Sequence, residues 1–314
     1  MKRFLTTLFD TNFKTQKTKA NTFGFFIFEI QLNSMKHLTT ALLLFFISLA
    51  AFSQQKSIWK YIENEQMISE NKEEAHASFT SFATTKELKN NSTTFRKTLN
   101  GTWKFNWVRS PKDRPTTFMN PSENIQEWSD IKVPSNWEVE GFGVPIYVNH
   151  QYEFTDYKAM VADDMELTER IYPKFPGKVP HTYNPVGSYR RDFTMDDNWS
   201  GKEIFLHIGA MKSGGFVWLN GKYIGYSQGS KLPSEFNISK AAKKGKNTIA
   251  IQIFRWTDGS YLECQDFWRI SGIEREVYLY AQPKTRIKDF EVFSNLDKAY
   301  ENGILELDID IQNH

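Results

Sequence analysis

Cysteine is almost missing from this 314-residue chain, and Cys264 stands alone, so no intramolecular disulfide can form. No histidine neighbours it in sequence to act as a base, and it reads as a small packing residue rather than a nucleophile. The six histidines (His37, His76, His150, His181, His207 and His314) show no ligand spacing, which argues against a His-based metal centre. An excess of one charge is missing too: 39 Lys and Arg stand against 37 Asp and Glu. Residues 1–53 hold six of the basic and two of the acidic residues, leaving 33 and 35 behind them. A near-neutral body without a basic run makes nucleic acid an unexpected partner. The apolar run Ala41–Phe52 falls well short of the about 20 residues that cross a bilayer, so a membrane-spanning chain is not expected.

That short run has a different meaning. Met35–Ser53 combines a basic start, an apolar stretch and small residues at Ala51 and Ser53, the three parts of a secretory signal. Cleavage is expected before Gln54, and with no cysteine at the cut a lipid anchor is not. Export across a bacterial inner membrane follows, to the periplasm or beyond. Residues 1–34 then read as an upstream start, with the product beginning at Met35.

From Gln54 to about residue 92 the sequence is polar and reads as an extended arm with local turns. After it the period becomes two, the mark of half-buried strands. Ile204, Leu206 and Ile208 alternate with Phe205 and His207, as Ile249, Ile251 and Ile253 do with Ala250 and Gln252. Trp103, Phe105 and Trp107 share one face of a further strand. Asn220-Gly221 sits between Phe216–Leu219 and Lys222–Tyr226, where a type I′ hairpin turn needs two residues tolerant of positive φ. Many short strands with little helix predict an all-β fold, a jelly-roll β-sandwich over residues 93–283. Beyond Pro283, residues 287–293 and 304–312 are two more alternating strands, too few to bury their apolar side and so the start of a second β module over 284–314.

The densest chemistry lies in residues 255–275, with two Trp, three Arg, two Asp and two Glu around Gly259 and Gly272. Aromatic faces beside carboxylates suit a neutral, hydroxyl-rich ligand such as a sugar, and loops at strand ends commonly carry function. Taken with Leu232-Pro-Ser-Glu-Phe236, Val133-Pro-Ser-Asn-Trp137, Pro145-Ile-Tyr-Val-Asn149 and Asn184-Pro-Val-Gly-Ser-Tyr189, in that family's order, the run resembles the N-terminal sugar-binding domain of glycoside hydrolase family 2 β-galactosidases. The resemblance covers residues 59 to 297.

It implies a retaining β-galactosidase, exported and bacterial, acting on terminal β-D-galactosides. It also implies that residues 284–314 open an immunoglobulin-like sandwich leading to a (β/α)₈ barrel. Both catalytic carboxylates of the family belong to that barrel, so no catalytic role is assigned here. The pair Glu263 and Asp266, three apart on a loop, is set aside. By resemblance Asn149 and Asp266 bind substrate and Asp266 ligates sodium, with magnesium expected only in the barrel. A carboxylate accepts two hydroxyl hydrogen bonds, while an amide donates and accepts. The bland alternatives are a turn role for Asn149 and a salt bridge to Arg269 for Asp266. Arg255, Arg269 and Glu235 read as buried ion pairs fixing the loop. A homo-oligomer is compatible with the full-length enzyme. A stand-alone carbohydrate-binding or structural module is the alternative reading of the whole chain.

Overall fold

The computed structural model describes residues 57–149, 152–154, 177–263 and 265–313. The upstream start, the signal segment and Cys264 lie outside them. Nearly all of the described residues belong to one compact unit, Ile58–His314. No helix among the described residues is long and apolar enough to cross a membrane.

The alternating stretches become two antiparallel sheets. One has seven strands in the spatial order Ser69–Glu70, Lys222–Gln228, Gly214–Leu219, Gly245–Phe254, Val186–Met195, Gly101–Val108 and Ser129–Val133. The other has four, in the order Ser234–Asn237, Glu203–Ile208, Val277–Gln282 and Arg96–Thr98. Successive side chains of a strand point to opposite faces, so each sheet turns one residue in two toward the other. Trp103, Phe105, Ile249, Ile251 and Ile253 from the first meet Ile204, Leu206, Ile208, Val277 and Leu279 from the second in one buried cluster. This is the expected all-β jelly-roll sandwich. The turn at Asn220-Gly221 has φ of 55° and 81°, joining Leu219 to its cross-strand partner Lys222.

Both outward faces are covered as well. On the large sheet Phe216, Tyr226, Phe254 and Val186 form a second buried cluster with Tyr61, Ile62, Ile146, Val148 and Trp256. Tyr61 and Ile62 come from the short helix Trp59–Ile62, so the N-terminal arm is part of that layer. Further on, Ser69 and Glu70 of the arm pair with Ser227 and Tyr226, covering the open edge of the seven-stranded sheet.

The arm then crosses the outer face of the small sheet. The Glu73 amide donates to the Glu235 carbonyl at 2.9 Å. His76 Nε2 lies 2.7 Å from Glu235 Oε2, and His76 Nδ1 lies 2.9 Å from the Ala77 carbonyl. Both ring nitrogens face acceptors, so both must donate, and His76 is an imidazolium. The other carboxylate oxygen of Glu235 lies 2.6 Å from His207 Nδ1, and the Tyr280 hydroxyl donates to Oε2 at 2.7 Å. Burial opposes ionisation of Glu235, yet hydrogen bonds from His207, His76 and Tyr280 outweigh it and hold the carboxyl down at about 2. This corrects the sequence reading, since Glu235 clamps the arm to the sheet and has no part in fixing the 255–275 loop.

The last two strands, Thr285–Leu296 and Gly303–Asn313, pair antiparallel as a long hairpin. Leu305, Leu307, Ile309 and Ile311 are exposed along it.

The clamp sets a pH dependence. The hydrogen bond to Glu235 raises the His76 pKa from 6.5 to about 9. A raised pKa means that the stabilisation is complete below 6.5 and is lost as pH climbs through 9. The His76 Cε1 proton should therefore titrate with a midpoint near 9 by NMR, and His76→Gln should abolish that transition. A midpoint close to 6.5 would show that the clamp is not formed.

Candidate functional site

The loop from Arg255 to Arg275 leaves the end of strand Gly245–Phe254 and is built around two guanidinium groups. Arg255 is buried and lies 3.3 Å from Glu138 Oε1, itself buried. That separation is an ion pair without an aligned hydrogen bond, since Oε1 has no hydrogen-bond partner. Glu138 Oε2 accepts from the Ser271 amide at 2.8 Å. Burial pushes the Glu138 carboxyl up, and the opposing charge of Arg255 limits the rise. Arg255 also donates to the Val144 carbonyl at 3.1 Å and the Arg269 carbonyl at 3.0 Å. The expected ion pair thus exists for Arg255. Removing one member would leave a buried charge unpaired, at a cost of about 3–5 kcal/mol.

Arg269 behaves differently from the sequence reading. Its guanidinium donates to the carbonyls of Glu263 (2.7 Å) and Gln265, with Val148 at 3.5 Å, and not to a carboxylate. A buried guanidinium has five donors to satisfy, and the loop's turned-in carbonyls are acceptors at hand. The salt bridge from Asp266 to Arg269 does not form, which leaves the Asp266 carboxylate turned elsewhere.

Each of the sequence motifs touches this loop. The Asn184 carboxamide donates to the Trp256 carbonyl and accepts from the Trp256 amide, both at 3.0 Å. The Trp137 amide donates to the Ser271 carbonyl at 2.8 Å, and Ser135–Asn136 pairs with Gly272–Ile273. Gly272 has φ of +123°, and a Cβ there would meet the Ser135 carbonyl at 2.7 Å. Only glycine fits both demands. Gly187, in the Asn184–Tyr189 motif, lies where a Cβ would meet the Trp137 ring at 2.4 Å. Beside Leu232–Phe236, the Ser230 amide and hydroxyl donate to the Glu263 carboxylate at 3.0 and 2.5 Å. Glu263 is thereby occupied in holding the loop, consistent with setting the Glu263–Asp266 pair aside.

The remaining motif forms the exposed corner. Ile146–Val148 pairs antiparallel with Phe267–Arg269, with Phe267 opposite Val148 and Trp268 opposite Tyr147. Asn149 follows one strand of this ladder and Asp266 precedes the other, at the end where Val148 and Phe267 pair, and both are exposed. The two residues singled out in the sequence therefore flank the same end of a two-stranded sheet. Ile146 and Val148 point inward and anchor the ribbon in the second buried cluster. Tyr147 and Trp268 point outward, 48% and 56% exposed, with ring centroids 5.7 Å apart. The Tyr147 hydroxyl donates to Asp266 Oδ1 at 2.5 Å, and this bond raises the Tyr147 pKa. Tyr147 and Trp268 had no separate place in the sequence reading. The strand alternation around Ile146 and Val148 was the signal that could have found them.

What the corner can do is accept and donate hydrogen bonds beside an aromatic pair. Of the two carboxylates on the loop, Glu263 accepts from Ser230 and Asp266 from Tyr147. Among the described residues no group of three or more His, Cys, Asp or Glu side chains is placed to hold a metal ion.

Comparison with known proteins bears on this arrangement. The family model for the glycosyl hydrolases family 2 sugar binding domain matches residues 96–283. A β-galactosidase of Priestia megaterium is 38% identical over 254 residues, covering 80% of this chain and 23% of its own. One from Halalkalibacterium halodurans is 32% identical over 253 residues, with 80% and 24% covered. A β-glucuronidase structure from Ruminococcus gnavus covers 71% of this chain and 35% of its own, at 21% identity and a TM-score of 0.49. The chain thus spans about a quarter of the length of the relatives it matches. It belongs to glycosyl hydrolase family 2, and residues 96–283 are its sugar binding domain.

Proposed function

We propose that this chain is the N-terminal portion of a retaining β-galactosidase, and that Asn149 and Asp266 contribute to a galactosyl site completed by residues beyond this chain. The carrying observation is the ribbon Ile146–Val148 with Phe267–Arg269, which brings both polar residues to one exposed end beside Tyr147 and Trp268. The Arg269 guanidinium fixes the carbonyls on either side of the loop. The Tyr147 hydroxyl orients Asp266 while leaving Oδ2 for a ligand. A site that hydrogen-bonds sugar hydroxyls discriminates against analogues lacking them, because its own polar groups would be left unpaired.

Sodium fits this reading in part. Asp266 is a hard oxygen donor at an exposed corner, but it is a single ligand, so the chain alone would not retain the ion. Other ligands, and any magnesium, would come from the barrel. In the same proposal the hairpin Thr285–Asn313 begins an immunoglobulin-like module, whose missing strands would cover the apolar side chains now exposed. The intact enzyme would be free to form a homo-oligomer. A stand-alone carbohydrate-binding or structural module is the second reading, supported by the match of residues 96–283 to a sugar binding domain.

Export belongs to the proposal too, and mature protein from the periplasm or medium should begin at Gln54. N-terminal sequencing of that material decides the matter, and a start at Met1 or Met35 would count against it. The 314-residue chain by itself should not hydrolyse a nitrophenyl β-galactoside. Turnover abolished by substituting Glu263 or Asp266 would overturn the assignment of catalysis to the absent barrel.

Asp266→Asn in the full-length enzyme separates a binding role from a structural one. An amide offers one acceptor where the carboxylate offers two, so kcat/KM should fall on the order of tenfold to several hundredfold. The melting temperature should stay near that of the parent, because Asp266 is exposed and carries no ion pair to Arg269. The dependence of kcat/KM on sodium should weaken in parallel. A lowered melting temperature with unchanged kinetics and sodium response would make Asp266 structural.

A further inference from the structure

We infer that the buried pair of Lys212 and Glu153 positions Asn149. It fixes the register of the chain that leaves the candidate corner and so holds the Asn149 carboxamide where a ligand would meet it, given the reading of Asn149 as a sugar-binding residue. Lys212 Nζ donates to Glu153 Oε1 at 2.9 Å, with the two side chains 1% and 3% exposed. Glu153 lies four residues beyond Asn149, and four residues span at most about 14 Å. Lys212 belongs to the short strand Met211–Lys212, where it pairs with Gly272 of the loop that carries Asp266. The pair therefore ties the chain behind Asn149 to the element that presents Asp266.

Stability alone is a weak reason for such a pair. Taking two charges out of water offsets much of their attraction, and an apolar pair of similar volume serves a fold as well. What a buried pair supplies is discrimination between registers. Phe154 is buried against Trp256 and Tyr261, with ring centroids 5.6 and 4.9 Å away, and Tyr152 lies 4.9 Å from the same Tyr261 ring. A slip of one residue would exchange one aromatic ring for another at little loss of apolar contact. It would also bring a ring to Lys212 and leave a buried ammonium without its carboxylate, which opposes the slip. On the other side of Asn149 the ladder sets Val148 opposite Phe267. Asn149 is thus held between a backbone ladder and a charge pair. Burial raises the Glu138 carboxyl, and Lys212 joins Arg255 in opposing that rise, so the charge that sets this register belongs to the same frame as the loop.

Glu153→Met made together with Lys212→Met tests this, because it leaves no lone charge in the interior and should melt near the parent. In the 314-residue chain labelled with ¹⁵N-asparagine, the Asn149 carboxamide is identified by its loss in Asn149→Ala. Its ¹⁵N relaxation should report a fixed group in the parent and a mobile one in the double-Met variant. The Asn184 carboxamide, which donates to the Trp256 carbonyl, should stay fixed in both. In the full-length enzyme the double-Met variant should lower kcat/KM on the order of tenfold. In an Asn149→Ala background it should lower it no further, because a residue acting through Asn149 has nothing left to position. Should the double-Met variant not fold, Glu153→Gln keeps a hydrogen bond to Lys212 and should give the same pattern with a severalfold loss. An Asn149 carboxamide equally fixed in parent and variant, or a loss of kcat/KM that adds in full to that of Asn149→Ala, would overturn the positioning role. Parental kcat/KM in Asn149→Ala, with the relaxation change intact, would instead overturn the sugar-binding reading of Asn149 and leave the positioning standing.

Discussion

The buried ion pair of Arg255 and Glu138 is the constraint on which the polar architecture rests. Arg255 sits at the point where strand Gly245–Phe254 gives way to the loop, and Glu138 follows Trp137 in another motif. Their contact, with the Ser271 amide on Glu138 and the Val144 and Arg269 carbonyls on Arg255, joins residues 138–144 to residues 255–271. Hydrophobic packing alone would bury Trp137 and Trp256 without choosing how the loop lies between them. The charges choose, because few loop conformations satisfy a buried guanidinium. Arg269 extends the frame by gathering the carbonyls before Asp266, so the exposed corner stands on a rigid base.

Much of the fold was legible because alternation is a direct image of the pleat. Ile204, Leu206 and Ile208 could serve one face only, and the observed core is that face. The Asn220-Gly221 turn was equally plain, since few residue pairs tolerate two positive φ values. The covering of the outer faces was less legible. Residues 54–92 carry no periodic signal, and their attachment depends on contacts such as His76 to Glu235, 159 positions apart. Six histidines without ligand spacing spoke against a metal centre, and spacing could not reveal a clamp. Arg269 shows the same limit. A guanidinium accepts carbonyl or carboxylate partners equally well by composition, and the choice depends on which oxygens the folded loop turns inward.

The candidate corner was legible as residues and not as a geometry. Asn149 and Asp266 stood out through their motifs, but 117 positions separate them. What brings them to the same end of one ribbon is the pairing of Ile146–Val148 with Phe267–Arg269, a three-residue ladder too short to be read from alternation. Tyr147 and Trp268 follow from the same ladder, because anchoring Ile146 and Val148 inward leaves their neighbours no other direction.

Exposure finally decides what this corner can be on its own. Hydrogen bonds to a sugar gain strength where water is excluded, and an open carboxylate beside two half-exposed rings is still competing with solvent. The ribbon therefore has the chemistry of a recognition element without the enclosure of an active site. Its rigidity, set by Arg255, Glu138 and Arg269 beneath it, is what a second wall would need in order to close against it with little loss of conformational freedom. In the proposed division, one module would hold polar groups on a fixed frame and another would bring the enclosing surface and the reacting carboxylates.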